Sequence, residues 1–167
     1  MKLILVRHAI AEDRAVWAER SKDDGLRPLT TDGRDKMKRV ARGLVALEPK
    51  VALLAASPLV RARETAEILA RAWGGIEPVE APLLGPAGTA ATLTAWLVRR
   101  RPAGTAVLVG HEPDLGETAA FWLCGREANF LAFKKGGAAL IEFGAAPKEG
   151  AGVLQWFLTP GQLRALG

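Results

Sequence analysis

Residues 2–8 of the chain, Lys-Leu-Ile-Leu-Val-Arg-His, join four aliphatic side chains directly to a charged pair. A short aliphatic run of this kind is typical of a strand in a parallel sheet, because such strands are covered on both faces. The same pattern recurs at residues 51–56, Val-Ala-Leu-Leu-Ala-Ala, and 105–110, Thr-Ala-Val-Leu-Val-Gly. These three segments predict the centre of a parallel sheet.

Segments with helical periodicity separate the predicted strands. We predict helices over 31–47, 59–73, 89–100 and 114–123, strands over 76–80, 138–143 and 153–158, and a short final helix that starts at Thr159-Pro160. This order predicts an α/β fold, a three-layer sandwich in which helices cover both faces of a mostly parallel sheet. The length of 167 residues suits a single domain over residues 1–167.

Composition excludes several classes of protein. Hydrophobic residues make up 49% of the chain and charged residues 25%, which is the balance of a globular protein. The single cysteine, Cys124, excludes an internal disulfide and a multi-cysteine metal site. The net charge is +5, but the 23 basic residues are scattered among 18 acidic ones and few aromatic residues lie near them. We therefore expect the anionic partner to be a small phosphorylated group and not a nucleic acid. Without a long apolar segment or a signal peptide, we expect no membrane association and a cytoplasmic location.

Both histidines of the chain follow predicted strands. His8 follows the first strand, and His111 follows the strand over 105–110. Arg61 lies in the helix that follows the strand over 51–56, for which we predict Ser57 as the N-cap and Pro58 as the first helical residue. Ligands of open α/β sheets bind at the carboxyl ends of the strands, so these residues are candidates for a site.

The residue types allow more than one chemistry. A histidine at a strand end is often only a hydrogen-bonding group of the scaffold, but a neutral imidazole can also act as a nucleophile or as an acid–base group. An arginine near a helix N-terminus opposes the helix dipole and favours a nearby anion. A metal site formed by His8 and His111 with Glu12 or Asp13 is an alternative, which the neighbouring arginines disfavour because they repel a cation.

Four stretches, taken in order, resemble the histidine phosphatase superfamily, which includes the phosphoglycerate mutases, and within it the short SixA-type phosphohistidine phosphatases. They are residues 5–9, Leu-Val-Arg-His-Ala, residues 27–33, Arg-Pro-Leu-Thr-Thr-Asp-Gly, residues 57–62, Ser-Pro-Leu-Val-Arg-Ala, and residues 110–113, Gly-His-Glu-Pro. The resemblance implies a phosphoglycerate mutase-like fold. It also implies that His8 forms a covalent phosphohistidine, while Arg7, Arg61 and His111 bind the phosphoryl oxygens, with no metal or other cofactor.

One departure from the family pattern bears on the substrate. Many superfamily members have a glutamate acid where this chain has Leu83, in Ala-Pro-Leu-Leu-Gly at 81–85. Glu12 or Glu80 could substitute as the proton donor. An alkoxide leaving group gains about 10²–10⁴-fold from a general acid, whereas phosphohistidine can leave as neutral imidazole. We therefore expect a phosphatase whose substrate is phosphohistidine on a partner protein of the histidine phosphotransfer type.

Other interpretations stay open. The chain could be a phosphatase of small phosphorylated metabolites, or a phosphate- or phosphoprotein-binding module without turnover. Asp23, Asp24 and Arg27 could order a loop over the site, or they could be ordinary surface charges.

Overall fold

The computed structural model of the chain describes residues 1–86, 88–128 and 130–167, and a six-stranded sheet forms its centre. The strands lie in the order β3-β2-β4-β1-β5-β6. Their bounds are β1 (Lys2–Arg7), β2 (Leu53–Ala56), β3 (Val79–Glu80), β4 (Ala106–Gly110), β5 (Ala138–Glu142) and β6 (Val153–Leu158).

The sheet is mostly parallel, as predicted. The neighbouring strands β3, β2, β4 and β1 all run parallel, β5 pairs antiparallel with β1, and β6 pairs antiparallel with β5. Within the part of the chain that the structure describes, β5 alone therefore runs against the other strands.

The described residues form six α-helices: α1 (Arg14–Ala18), α2 (Thr31–Leu47), α3 (Val60–Ala72), α4 (Ala90–Arg100), α5 (Asp114–Cys124) and α6 (Pro160–Ala165). Residues of β1 alternate between two hydrophobic cores. Ile4 and Val6 pack in one core with residues of α2, α3 and α6, whereas Leu3 and Leu5 pack in the other with residues of α4 and α5. The period of two along a strand thus produces three layers, and the predicted sandwich is confirmed.

Local sequence signals set several helix ends. The Thr30 hydroxyl accepts a hydrogen bond from the backbone of Gly33 at 2.9 Å and caps α2. Thr89 and Thr159 form capping boxes at α4 and α6. Gly125 ends α5 with a φ of +74°, a left-handed conformation that favours glycine.

The prediction for the start of α3 is wrong. Leu59 is extended, with φ −66° and ψ 135°, so the helix begins at Val60. Ser57 and Pro58 precede the helix, and the Ser57 hydroxyl both accepts a hydrogen bond from the backbone of Leu59 at 3.3 Å and bonds to His111, on a different part of the chain. The hydroxyl that local chemistry assigns to a cap is therefore shared between a local hydrogen bond and a tertiary one.

Two further differences concern short elements. The strand predicted over 76–80 pairs only at Val79–Glu80, since Pro78 has no N–H to donate to a sheet. The segment between β1 and α2 also contains α1 and a 3₁₀ turn over Asp24–Leu26, neither of which the sequence predicted.

In the described ranges, no helix combines the length and the apolar character that crossing a membrane requires.

Candidate active site

The carboxyl ends of three parallel strands bring the candidate residues together. The backbone N–H of His8 donates to the carbonyl of Gly110 at 3.0 Å, and that of Ser57 donates to the carbonyl of Val109 at 3.0 Å. These bonds continue the sheet past the ends of β1 and β2. The rings of His8 and His111 lie side by side as a result, with their centroids 5.1 Å apart.

An open cleft of about 520 Å³ lies at this edge of the sheet. Its lining is dominated by charged and imidazole side chains. The basic and imidazole residues are Arg7, His8, Arg14, Arg27, Arg61, His111 and Lys135, and the acidic residues are Glu12, Asp13, Asp24, Glu112 and Asp114.

Hydrogen bonding fixes the tautomer of His8. Its Nδ1 lies 2.7 Å from the carbonyl oxygen of Ala9. A carbonyl oxygen can only accept, so Nδ1 carries the proton of the neutral ring and Nε2 carries the lone pair. The pKa of His8 is lowered to about 3, chiefly by burial and also by the neighbouring His111, Arg61 and Arg7, against the opposing effect of the Ala9 carbonyl. His8 is therefore neutral at pH 7, with a nucleophilic Nε2.

His111 is also buried and neutral. It is 7% exposed, and its Nε2 lies 2.8 Å from the Ser57 hydroxyl. Burial lowers its pKa to about 4, with Arg61 and Arg7 contributing in the same direction. Its Nδ1 has no hydrogen-bond partner among the described residues.

Two arginines flank the imidazoles. Arg7 donates from Nη1 to the carbonyl of Phe133, and Arg61 donates from Nη1 to the carbonyl of Asp24 at 2.9 Å. The Nε atom of each is buried and, within the described part of the chain, has no partner. Burial lowers the pKa of both guanidiniums, but an arginine stays charged at pH 7. Unsatisfied charged donors beside a neutral nucleophile are suited to hold an anion.

Asp24 holds several of these cations. Its carboxylate lies 2.8 Å from Arg27 Nε, 3.3 Å from Arg61 Nη2 and 3.5 Å from Arg14 Nε. Arg27 also donates to the carbonyl of Glu12 at 2.9 Å. The hydrogen bond from Arg27, together with the nearby positive charges, holds the pKa of Asp24 below its usual value. Asp24 and Arg27 therefore tie the segment between β1 and α2 to the cleft.

The structure separates the two proton donors suggested by the sequence. Glu12 lines the cleft. Its carboxylate also forms an ion pair with Arg20 at 3.6 Å. Glu80 is exposed in β3 and lines a different cavity with Arg63 and Glu67. The structure therefore does not bring Glu80 into the cleft, because β3 is the edge strand of the sheet.

The sequence analysis missed two carboxyl groups of the cleft. Burial raises the pKa of Glu112 and of Asp114, and for Glu112 a hydrogen bond from the backbone of Phe133 opposes that rise. Both residues lie within three positions of His111, which is the signal that could have indicated them. Leu83 lines a smaller adjoining cavity that also contacts His111 and Asp114.

The alternative metal site is not assembled. Across residues 1–86, 88–128 and 130–167, no group of three or more histidine, cysteine, aspartate or glutamate side chains is close enough to hold a metal ion. His8 and His111 thus lack the third ligand that Glu12 or Asp13 would supply.

Comparison with known proteins agrees with the fold and the motifs. Residues 3–85, which include Arg7, His8 and Arg61, match the model of the histidine phosphatase superfamily (branch 1). An uncharacterized protein of Picosynechococcus sp. is 45% identical over 148 residues, which cover 87% of this chain and 87% of that protein.

Solved structures share the fold. The protein histidine phosphatase SixA, complexed with tungstate, has a TM-score of 0.81 at 24% identity, covering 98% of this chain and 99% of that one. A phosphoserine phosphatase mutant from Entamoeba histolytica, in complex with phosphoserine, has a TM-score of 0.69 at 20% identity, covering 97% and 98% of the two chains. These structures show the fold, and the match of residues 3–85 to the family model shows that the chain belongs to the histidine phosphatase superfamily.

Proposed function

We propose that this protein is a phosphatase that removes the phosphoryl group from phosphohistidine on another protein, with residues 1–167 acting as one catalytic domain. The observation that carries the proposal is the neutral Nε2 of His8 beside buried nitrogens of Arg7, Arg61 and His111 that lack partners in the described chain. Phosphoryl transfer depends chiefly on positioning and on compensating the charge of the equatorial oxygens. The cleft offers both.

In the first step, the lone pair of His8 Nε2 attacks phosphorus. A P–N bond to the substrate imidazole breaks while a P–N bond to His8 forms. If the substrate ring is protonated at its other nitrogen, it leaves as neutral imidazole and needs no acid from the enzyme. This fits the presence of Leu83 where many relatives have a glutamate.

In the second step, water attacks the phosphorus of phosphorylated His8, and the P–N bond breaks. His8 keeps the proton on Nδ1, which donates a hydrogen bond to the Ala9 carbonyl throughout, so His8 also leaves as neutral imidazole. Inorganic phosphate departs with the protons of the water shared between phosphate and solvent. Arg7, Arg61 and His111 bind the phosphoryl oxygens in both steps.

The substrate class is supported by the shape of the cleft. It is open, and both its charged lining and the exposed Lys135 at its edge would face an approaching protein. SixA, named as a protein histidine phosphatase, shares this fold over nearly its whole length. A phosphohistidine side chain on a folded partner would reach His8 without any closure of the site.

A second candidate function is hydrolysis of small phosphate esters. It is favoured by Asp114, which lines the same cleft and whose pKa is raised by burial. Such a carboxyl could protonate an alkoxide leaving group. This alternative is also supported by the fold that the chain shares with a phosphoserine phosphatase.

A substrate panel tests the proposal. A phosphohistidine-bearing protein, phosphoserine and a sugar phosphate would be compared for wild type and His8→Ala. We expect the highest kcat/KM on the phosphohistidine protein, no turnover by His8→Ala, and a rapidly quenched phosphoenzyme that is labile in acid and stable in base. Activity that survives in His8→Ala would overturn the mechanism, and equal rates on esters would favour the second candidate. Binding of the phosphoprotein without any turnover would identify a binding module.

A further inference from the structure

The buried hydroxyl of Ser57 has no part in the steps above. Ser57 is 0% exposed, and its Oγ lies 2.8 Å from Nε2 of His111. The backbone N–H of Leu59 donates to the same oxygen at 3.3 Å. A Cβ built on Gly85 would lie 3.3 Å from this hydroxyl, so the segment after β3 packs closely against it.

The hydrogen bonds of Ser57 determine where its own proton goes. The bond from Leu59 uses a lone pair of the hydroxyl oxygen, because an N–H can only donate. The structure records one other partner for Ser57 Oγ among the described residues, the Nε2 atom of His111. A buried hydroxyl proton without an acceptor is costly, so the Ser57 O–H donates to Nε2.

This direction fixes the proton of His111. A neutral imidazole has one N–H, and an Nε2 that accepts from Ser57 must carry the lone pair. The ring is neutral because it is buried beside Arg7 and Arg61. Its proton therefore lies on Nδ1, the nitrogen without a partner among the described residues.

We propose that Ser57 is a positioning residue, which holds His111 as the Nδ1–H tautomer and so makes it a hydrogen-bond donor for the phosphoryl oxygens. The role of His111 as a donor to phosphoryl oxygens rests on the proposed function, whereas the assignment of its tautomer does not. In the opposite tautomer, a lone pair on Nδ1 would face the negative oxygens and repel them. A neutral imidazole can carry its proton on either nitrogen, and the Ser57 hydroxyl selects the form of His111 in which Nδ1 is the donor.

The histidine content of the chain allows a direct test by NMR. Two histidines give four ring nitrogens, and His8→Asn assigns them. In the two-bond ¹H–¹⁵N spectrum of the ¹⁵N-labelled wild type at pH 7, we expect His111 Nδ1 at the shift of a protonated nitrogen and Nε2 at that of an unprotonated one. A His111 ring protonated at Nε2 in the wild type would overturn the proposal before any variant is made.

Variants test the role of the hydroxyl. In Ser57→Ala we expect the two His111 nitrogen signals to move toward each other or to exchange, and kcat on phosphohistidine protein to fall by about 10²-fold, the usual effect of losing one preorganised donor. Ser57→Thr keeps a hydroxyl and should restore both readouts. Thr105→Val, which removes another buried hydroxyl before β4, is the matched control and should change neither.

The tautomer and the activity separate the two proposals. Unchanged His111 signals in Ser57→Ala would overturn the role of Ser57, even if kcat fell. The expected signals in an enzyme inactive on phosphohistidine would support the role of Ser57 in fixing the tautomer and remove the proposed function.

Discussion

Acidification from pH 7 to pH 5 should destabilise this protein through its two histidines. The folded-state pKa values of His8 and His111 are about 3 and about 4, below the ordinary value of 6.5. Between pH 6.5 and pH 4, the two histidines are therefore protonated in the unfolded chain and neutral in the folded chain. The contribution of the two neutral histidines to the free energy of unfolding is fully present above pH 6.5. It is lost progressively as the pH falls toward the folded-state pKa of each residue, about 4 for His111 and about 3 for His8.

The size of the effect follows from linkage. Once the pH is below the unfolded pKa, each further pH unit costs about 1.36 kcal/mol per histidine. Over the roughly 1.5 units between pH 6.5 and pH 5, this amounts to about 2 kcal/mol for each ring and about 4 kcal/mol for the pair. Both rings are buried, at 6% and 7% exposure, so solvent screens them little.

Urea unfolding at the two pH values provides the assay. Wild type, His8→Asn, His111→Asn and the double variant would be compared by the loss of unfolding free energy from pH 7 to pH 5. We expect each single variant to lose about 2 kcal/mol less than wild type, because asparagine does not titrate. The carboxylates titrate in all four proteins and cancel in the comparison.

The comparison has a clear contrary outcome. If wild type and the double variant lose the same free energy between pH 7 and pH 5, the two imidazoles have ordinary pKa values in the folded protein. The inference that burial lowers the pKa values of His8 and His111 would then fail, whatever the activity of the enzyme.

Three other changes test separate parts of the structure. Arg61→Lys should lower kcat/KM by about 10²–10³-fold, because an ammonium cannot reproduce the planar guanidinium fork, while Arg63→Lys on the exposed side of α3 should leave it unchanged. If Asp114 acts as an acid, Asp114→Asn should slow hydrolysis of phosphoserine by about 10²–10⁴-fold and spare the phosphohistidine protein, and equal losses on both would refute that role. Gly43→Ala should lower the unfolding free energy by about 1–3 kcal/mol in urea titrations with kcat unchanged, since its Cβ would meet the Leu163 carbonyl where α6 packs on α2; unaltered stability would contradict that packing.

Local patterns in the sequence predicted most of the fold. The aliphatic runs at 3–6 and 106–109 form strands because their side chains have no polar group to leave in a core. The hydroxyls of Thr30 and Thr159 cap helices because their partners lie three residues away. The same reasoning started α3 at Pro58 with Ser57 as its cap, whereas the helix begins at Val60 and the Ser57 hydroxyl also bonds to His111, which is distant in sequence.

The candidate site divides in the same way. The sequence indicated which strand ends carry His8, Arg61 and His111, since a parallel sheet puts those ends on one edge. It did not indicate that Glu80 lies outside the cleft, or that Asp24 forms an ion pair with Arg61. Those facts depend on the order of the strands and on the path of the segment before α2, which no local pattern encodes.

By itself, the sequence determined the layered α/β fold, the family motifs and the identity of the residues at the strand ends. The tertiary structure alone decided their chemical state. Burial makes both imidazoles neutral, the Ala9 carbonyl leaves the lone pair of His8 on Nε2, and Ser57 accounts for the proton of His111. Periodicity and capping act between near neighbours, whereas desolvation and hydrogen-bond direction arise only when distant parts of the chain close around the same ring.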